Sequence, residues 1–165
     1  MSKKALTYWS IDIGVLVGIY CLIAVHTPYL QKYMWIAFIS LPIYFCAGAS
    51  LPQFGRHAVG SIAGVLWGLL TFAALGLGII ADAGLNMLVF LSIIVTIVCL
   101  VHMVILDDKV MNGLFSGATA VFGGFAAIFS QGMGEWLGVS ITLLVGVALG
   151  LLMGLSGGAI AKKFP

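Results

Sequence analysis

Six long uncharged stretches, separated by single charges or small charge clusters, dominate the hydrophobic pattern of this chain. Each stretch holds about the twenty residues that a helix needs to cross roughly 30 Å of hydrocarbon. They predict helices over residues of about 11–30, 34–51, 58–81, 85–106, 110–131 and 136–160. The predicted fold class is therefore an all-α integral membrane protein, with one bundle of six transmembrane helices over residues 1–165.

The composition supports a membrane location. Hydrophobic residues make up 62% of the chain and charged residues 7%, whereas soluble domains carry about a quarter of charged residues. The first stretch lacks the small-residue cleavage site of a signal peptide, so we expect a retained helix. The lipid bilayer is the predicted partner, and no nucleic-acid partner is predicted.

The basic residues are distributed unevenly over the predicted connections. Lys and Arg stay on the cytoplasmic side of short loops, so their placement reports topology. Six helices put six of the seven basic residues on the side of the termini: Lys3, Lys4, Arg56, Lys109, Lys162 and Lys163. Lys32, Asp82 and Glu135 fall on the other side. We therefore expect both termini to be cytoplasmic.

Glycines at four-residue spacing predict close helix packing, because small residues let two backbones approach within a bilayer. The helix-packing candidates are Gly14, Gly18, Gly60, Gly64, Gly68, Gly113, Gly117, Gly146, Gly150 and Gly154. The fourth helix has no glycine after Gly84, so its apolar surface suits lipid or a neighbouring subunit. Gly48 and Pro52 predict that the second helix is kinked or broken near residues 47–52.

A weak internal repeat is visible at an offset of 52 to 53 residues. Residues 38–40, Cys46 and the pair Gly60 and Gly64 recur as residues 90–92, Cys99 and the pair Gly113 and Gly117. A duplication would build the bundle from three helix hairpins and pair the last helix with the first. Chance similarity between apolar segments is the alternative.

Motifs for catalysis are missing from the chain. There is no H-E-x-x-H, C-x-x-C or phosphate-binding glycine loop. Residues 154–158 match G-x-S-x-G by letters, but they interrupt a membrane helix instead of forming a strand-to-helix elbow. The three cysteines lie in separate apolar segments and imply neither a disulfide framework nor a zinc site. We therefore predict no enzyme activity, no cofactor and no metal site.

Two ionisable residues fall inside the predicted spans, where such groups are costly and are functional candidates by default. Asp12 follows Lys4 by eight residues, and we expect it to reach the headgroups and cap its helix. His102 lies near the cytoplasmic end of the fourth helix. It is a candidate for gating or proton relay, and a carbonyl or water hydrogen bond is the alternative.

Two polar stripes could line a narrow wet path. Ser92 and Thr96, continuing toward His102, share one helix face, and Asn112, Ser116 and Thr119 share another. Phe115 and Phe122 lie beside the second stripe, and Trp67 lies at the middle of the third helix, so these three complete the pore-lining candidates. The alternative is that the hydroxyl groups bond to their own helix or join helices, and that the aromatic rings form packing ridges.

The chain resembles a family of small bacterial inner-membrane proteins of unknown function, which we term YcdZ-like. The resemblance rests on residues 44–48, Gly60, residues 64–67, residues 125–136 and residues 148–151. It implies a bacterial inner membrane and supplies neither an activity nor functional residues. The Asn-Pro-Ala-Pro signature of acetate permeases and the acidic, tryptophan-rich pattern of acid-gated urea channels are both absent.

Three functions remain open at this point. The first is a small-solute channel or facilitator that acts as a symmetric homo-oligomer, because the chain combines polar stripes with few buried charges. The second is a non-conducting structural or regulatory subunit, which the glycine-rich helix faces suit equally well. An intramembrane enzyme is the third, and it lacks catalytic partners.

Overall fold

The structure, a computed structural model, describes residues 1–105 and 118–164, and the described part is all-α, as predicted. Seven α-helices follow one another in this part: α1 (Lys3–Val25), α2 (Pro28–Tyr33), α3 (Ala37–Cys46), α4 (Leu51–Gly76), α5 (Ala83–Cys99), α6 (Ala118–Gln131) and α7 (Trp136–Lys163). Single 3₁₀ turns join α2 to α3 and precede α7, and a π-helical segment, Leu100–Ile105, continues α5.

Four helical segments in the described ranges are long and apolar enough to cross a membrane. They are Lys3–Val25, Leu51–Gly76, Ala83–Ile105 and Met133–Lys163, with hydropathies between 1.9 and 2.9. A further apolar helix, Thr119–Gln131, is shorter. By length and hydropathy the chain is a multi-pass membrane protein.

The chain breaks between α3 and α4, as the glycine and proline residues there predict. Gly48 and Ala49 both have positive φ angles, of 95° and 43°, which reverse the backbone. The helix that follows begins at Leu51 and not near residue 58, so the predicted start of the third helix was wrong. Pro52 falls in the first turn, where a missing backbone N–H costs nothing. Helix α4 therefore has about two more turns at its N-terminal end than predicted, and His57 lies in them.

The first helix also begins earlier than predicted. Ser2 caps it by accepting a hydrogen bond from the backbone N–H of Ala5 at 3.2 Å. Asp12 therefore lies in the third turn of α1 and does not cap it, contrary to our expectation. Instead, the hydroxyl of Ser156 on α7 donates to a carboxylate oxygen of Asp12 at 2.5 Å.

Both termini lie at one end of the bundle. Ser2 Oγ donates to the carbonyl of Phe164 at 2.9 Å, and the Trp9 indole donates to the carbonyl of Met153 on α7. The first and last helices are thus in contact. At the opposite end, Lys32 forms an ion pair of 2.6 Å with Glu135, and the Tyr33 hydroxyl also donates to Glu135.

Helices α4 and α6 cross in backbone contact at glycines. A Cβ atom added to Gly64 would overlap the carbonyl oxygen of Val121, and one added to Gly124 would overlap that of Ser61. The same Cβ on Gly124 would lie 3.2 Å from Gly64 Cα. Since backbone atoms cannot move aside as flexible side chains do, only glycine fits at this crossing.

A second glycine contact joins α3 to α7. A Cβ on Gly146 would overlap the carbonyl of Ala37 and the hydroxyl of Ser40, and one on Gly154 would overlap the carbonyl of Ala49. Ser40 strengthens this contact, because its buried hydroxyl donates to the Leu143 carbonyl at 2.7 Å. These two crossings form the centre of the bundle.

The remaining predicted packing glycines have different positions. Gly60 is buried on α4, Gly68 packs against Ile128 and Gly150 packs against Tyr44. A Cβ on Gly14 or Gly18 would meet no atom within 4 Å, so this pair of α1 lies on the outside of the protomer. Gly113 and Gly117 lie outside the described residues, whereas the rest of the second copy of the proposed repeat, residues 90–92 and Cys99, lies on α5.

Candidate functional site

A cavity of about 440 Å³ lies between α3, α4 and α6. Its lining consists of Pro42, Ile43, Cys46, Ala47, His57 and Thr119. These residues come from the end of α3, the second turn of α4 and the start of α6, so the cavity lies toward the end of the bundle that carries both termini. We call it the α3–α4–α6 cavity.

His57 is the most enclosed polar residue of this cavity, with 6% of its surface exposed. Its Nδ1 lies 3.1 Å from the carbonyl oxygen of Gln53, one turn earlier on α4. The ring packs edge-on against Tyr44, with 5.0 Å between the ring centroids. Tyr44 is itself fixed, because its hydroxyl donates to the carbonyl of Ser50 at 2.7 Å. The imidazole is thus held in one orientation.

The hydrogen bond at Nδ1 determines the chemistry of the other ring nitrogen. A carbonyl oxygen only accepts, so Nδ1 carries the proton and Nε2 of the neutral ring has a free lone pair. No buried side-chain nitrogen or oxygen in the described part lacks a hydrogen-bond partner. His57 lines the cavity and its hydrogen bond is made through Nδ1, so we infer that Nε2 is the ring nitrogen available to a molecule in the cavity.

The rim of the cavity consists of exposed side chains. Pro42, Cys46 and Thr119 are all exposed, whereas His57 is buried and forms the floor. The Cys46 sulfur is a free thiol. Thr119, a predicted pore-lining residue, also lies at this rim. It lines the same cavity as His57 and Cys46.

Trp67 and His102, both pore-lining candidates, form a hydrogen-bonded pair. The Trp67 indole Nε1 donates to His102 Nε2 at 2.9 Å, which joins the middle of α4 to the π-helical segment. His102 is 4% exposed. An indole N–H only donates, so the neutral His102 ring carries its proton on Nδ1 in this pair. π-Helical turns are frequent at functional sites, and here one presents His102 to Trp67.

Three other predicted pore-lining residues, Ser92, Thr96 and Phe122, are not among the described residues that line the cavity. Ser92 and Thr96 lie on the exposed side of α5, and Thr96 donates to the carbonyl of Ser92 in its own helix at 2.8 Å. Phe122 is 36% exposed on α6. Asn112, Phe115 and Ser116 lie outside the described residues, so the second stripe is represented by Thr119 alone.

Lys32, Tyr33 and Glu135 form a cluster of polar contacts at the opposite end of the bundle. Lys32 Nζ lies 2.6 Å from a carboxylate oxygen of Glu135. Lys32 is exposed, so this ion pair contributes little to stability. Residues 1–105 and 118–164 contain no cluster of three or more His, Cys, Asp or Glu side chains that could hold a metal ion.

Sequence reasoning missed His57 because Arg56 was placed in a loop between two helices. A signal for it was nevertheless present. His57 precedes Gly60 by three residues and Gly64 by seven, so it extends the glycine face of α4 backward by one turn. A histidine on a helix face that packs against other helices is a stronger candidate than one beside a loop charge.

Fold and site together define the class: a multi-pass membrane protein, all-α in its described part, with an open cavity between three helices that has one buried histidine in its lining. The model of the family described as "Protein of unknown function (DUF1097)" matches residues 10–158. The chain belongs to this family, which confirms the predicted membership in a family of unknown function. No curated protein and no solved structure matches the chain significantly.

Proposed function

We propose that the protein is a passive facilitator for a small solute, acting as a symmetric homo-oligomer in the bacterial inner membrane with both termini in the cytoplasm. The observation that carries this proposal is the α3–α4–α6 cavity with buried His57 at its floor. A buried polar group in an apolar bundle is costly unless it is hydrogen-bonded, and an ionisable residue within a membrane helix is a functional candidate by default.

Six membrane crossings fit the course of the chain. Both termini lie at one end of the bundle, which requires an even number of passes. The second pass combines α2, a 3₁₀ turn and α3 over residues 28–46, about 28 Å of helix. The fifth includes α6. The basic residues Lys3, Lys4, Arg56 and Lys162 then fall on the cytoplasmic side.

Oligomer formation is supported by the outer surface of α5. This helix is apolar, mostly exposed, and carries Ser92 and Thr96 on its outer side. Side chains that point away from the protomer line a solute path only when a second protomer faces them. Closed cyclic symmetry is the usual arrangement for such contacts.

A non-conducting structural or regulatory subunit is the second candidate function. The observation that favours it is the backbone contact at Gly64 and Gly124, since helices in such contact leave no room for a path between them. A facilitator must therefore move its solute beside this crossing, through the cavity or between protomers.

Solute flux separates the two functions. Liposomes that contain the purified protein are mixed rapidly with a solution of acetamide or glycerol, and the vesicle volume is followed by light scattering. We expect at least one solute to enter about tenfold faster than into protein-free liposomes. Two results together would support the subunit function instead. A panel of small uncharged solutes would enter no faster than into protein-free liposomes, and an unrelated membrane protein would be recovered in the purified sample. Cross-linking in native membranes reports the number of protomers.

A further inference from the structure

The floor of the α3–α4–α6 cavity offers a hydrogen-bond acceptor. The carbonyl of Gln53 accepts a hydrogen bond from Nδ1 of His57, which leaves the lone pair of Nε2 for a molecule in the cavity that this side chain lines. A bound molecule that only accepts hydrogen bonds forms no hydrogen bond with this nitrogen. A molecule with an N–H or O–H group gains one directed bond in a partly water-excluded place.

The described part of the lining favours an uncharged molecule. Pro42, Ile43 and Ala47 supply apolar surface, and Thr119 supplies a hydroxyl that both donates and accepts. No charged side chain is among the described residues that line the cavity. An ion beside these described residues would lose hydration without gaining an opposite charge from them, whereas an uncharged polar molecule loses far less.

The size of the cavity suits a small molecule. A volume of about 440 Å³ falls at the lower end of the range for small-molecule sites. It admits a solute of a few non-hydrogen atoms together with water. The exposed rim at Cys46 and Thr119 gives such a solute a way in.

We propose that the α3–α4–α6 cavity binds a small uncharged solute that donates an N–H or O–H hydrogen bond to Nε2 of His57. This proposal rests on the proposed facilitator function and names the chemical class of its solute: primary amides, alcohols and similar uncharged donors. The apolar wall holds the carbon skeleton, and His57 orients the polar group. Solutes of equal size without a donor bind more weakly.

Protection of Cys46 tests this proposal, because its thiol lies at the rim of the same cavity. The full-length protein in detergent is treated with N-ethylmaleimide, and labelling of Cys46 is followed by mass spectrometry. Acetamide and acetone have equal numbers of non-hydrogen atoms, but only acetamide has an N–H. We expect saturating acetamide to slow Cys46 labelling at least threefold and acetone at the same concentration to leave it unchanged.

Two variants make the test specific. His57→Phe keeps a ring but removes the acceptor, and we expect it to abolish protection by acetamide. His26→Phe is the matched control, because His26 also lies with Nδ1 on a carbonyl one turn earlier but is exposed at the other end of the bundle. Free cysteine in the same solution reports any direct effect of the solutes on the reagent.

The outcomes separate this proposal from the function on which it rests. Equal protection by acetone, undiminished protection in His57→Phe, or a Cys46 thiol that does not react at all would each overturn the binding site. Protection by acetamide without flux in liposomes would leave the site intact and overturn the facilitator. Flux in liposomes without protection by acetamide would leave the facilitator function intact and overturn the binding site.

Discussion

Replacing Gly124 with alanine is expected to destabilise the protein by about 1–2 kcal/mol, although alanine is the better helix former. The added methyl would overlap the Ser61 carbonyl oxygen and lie 2.9 Å from its carbonyl carbon. Helices α4 and α6 would have to separate, and overpacking of this kind costs typically 1–3 kcal/mol. The gain of up to about 1 kcal/mol in helix propensity does not offset this.

Gly18→Ala is the matched control for this prediction. Gly18 lies within α1, but a Cβ there meets no atom within 4 Å, so only the propensity gain remains. We expect its stability to equal or slightly exceed that of the wild type. Both variants are unfolded in dodecyl maltoside micelles and followed by circular dichroism. A Gly124→Ala protein as stable as Gly18→Ala would refute the close α4–α6 crossing.

His57→Phe is expected to lower solute flux in liposomes by about tenfold. The phenylalanine ring fills the space of the imidazole but leaves a donor group of the solute without a partner. An unsatisfied buried donor costs about 1–3 kcal/mol, and 1.4 kcal/mol corresponds to a factor of ten in rate. His57→Gln, whose amide oxygen accepts a hydrogen bond, should retain more flux than His57→Phe.

His26→Phe again supplies the comparison, since His26 is exposed and far from the cavity. We expect its flux to match that of the wild type. The folded state of each variant is checked by its thermal unfolding before flux is measured, because His57 also bonds the Gln53 carbonyl. Equal flux in wild type, His57→Phe and His26→Phe would remove His57 from the solute path.

The sequence predicted the fold class well because length and hydropathy decide it. Uncharged runs of about twenty residues leave few alternatives to helices in a bilayer. Its errors concern helix ends, where a single charge was read as a loop. Arg56 was placed between helices, yet Gly48 and Ala49 reverse the chain earlier and place Arg56 in the second turn of α4. A short loop with positive φ angles is hard to distinguish from a kink by hydropathy alone.

The candidate site was predicted less well, for a related reason. Spacing indicates which residues share a helix face, but it does not say which face turns inward. Ser92 and Thr96 share a face as predicted, and that face is exposed. Trp67 and His102 are 35 positions apart, and their hydrogen bond depends on how α4 and the π-helical segment pack. Such contacts between distant residues have no signature in a single sequence.

Chemical modification of Cys46 tests the central claim that solute moves through the α3–α4–α6 cavity. A sulfonated methanethiosulfonate, present on both sides of liposomes, adds a bulky charged group to this rim thiol. The account predicts that modified wild-type protein conducts no faster than protein-free liposomes, while the reagent does not alter the flux of Cys46→Ala. Undiminished flux through protein whose Cys46 is shown by mass spectrometry to be fully modified would contradict it.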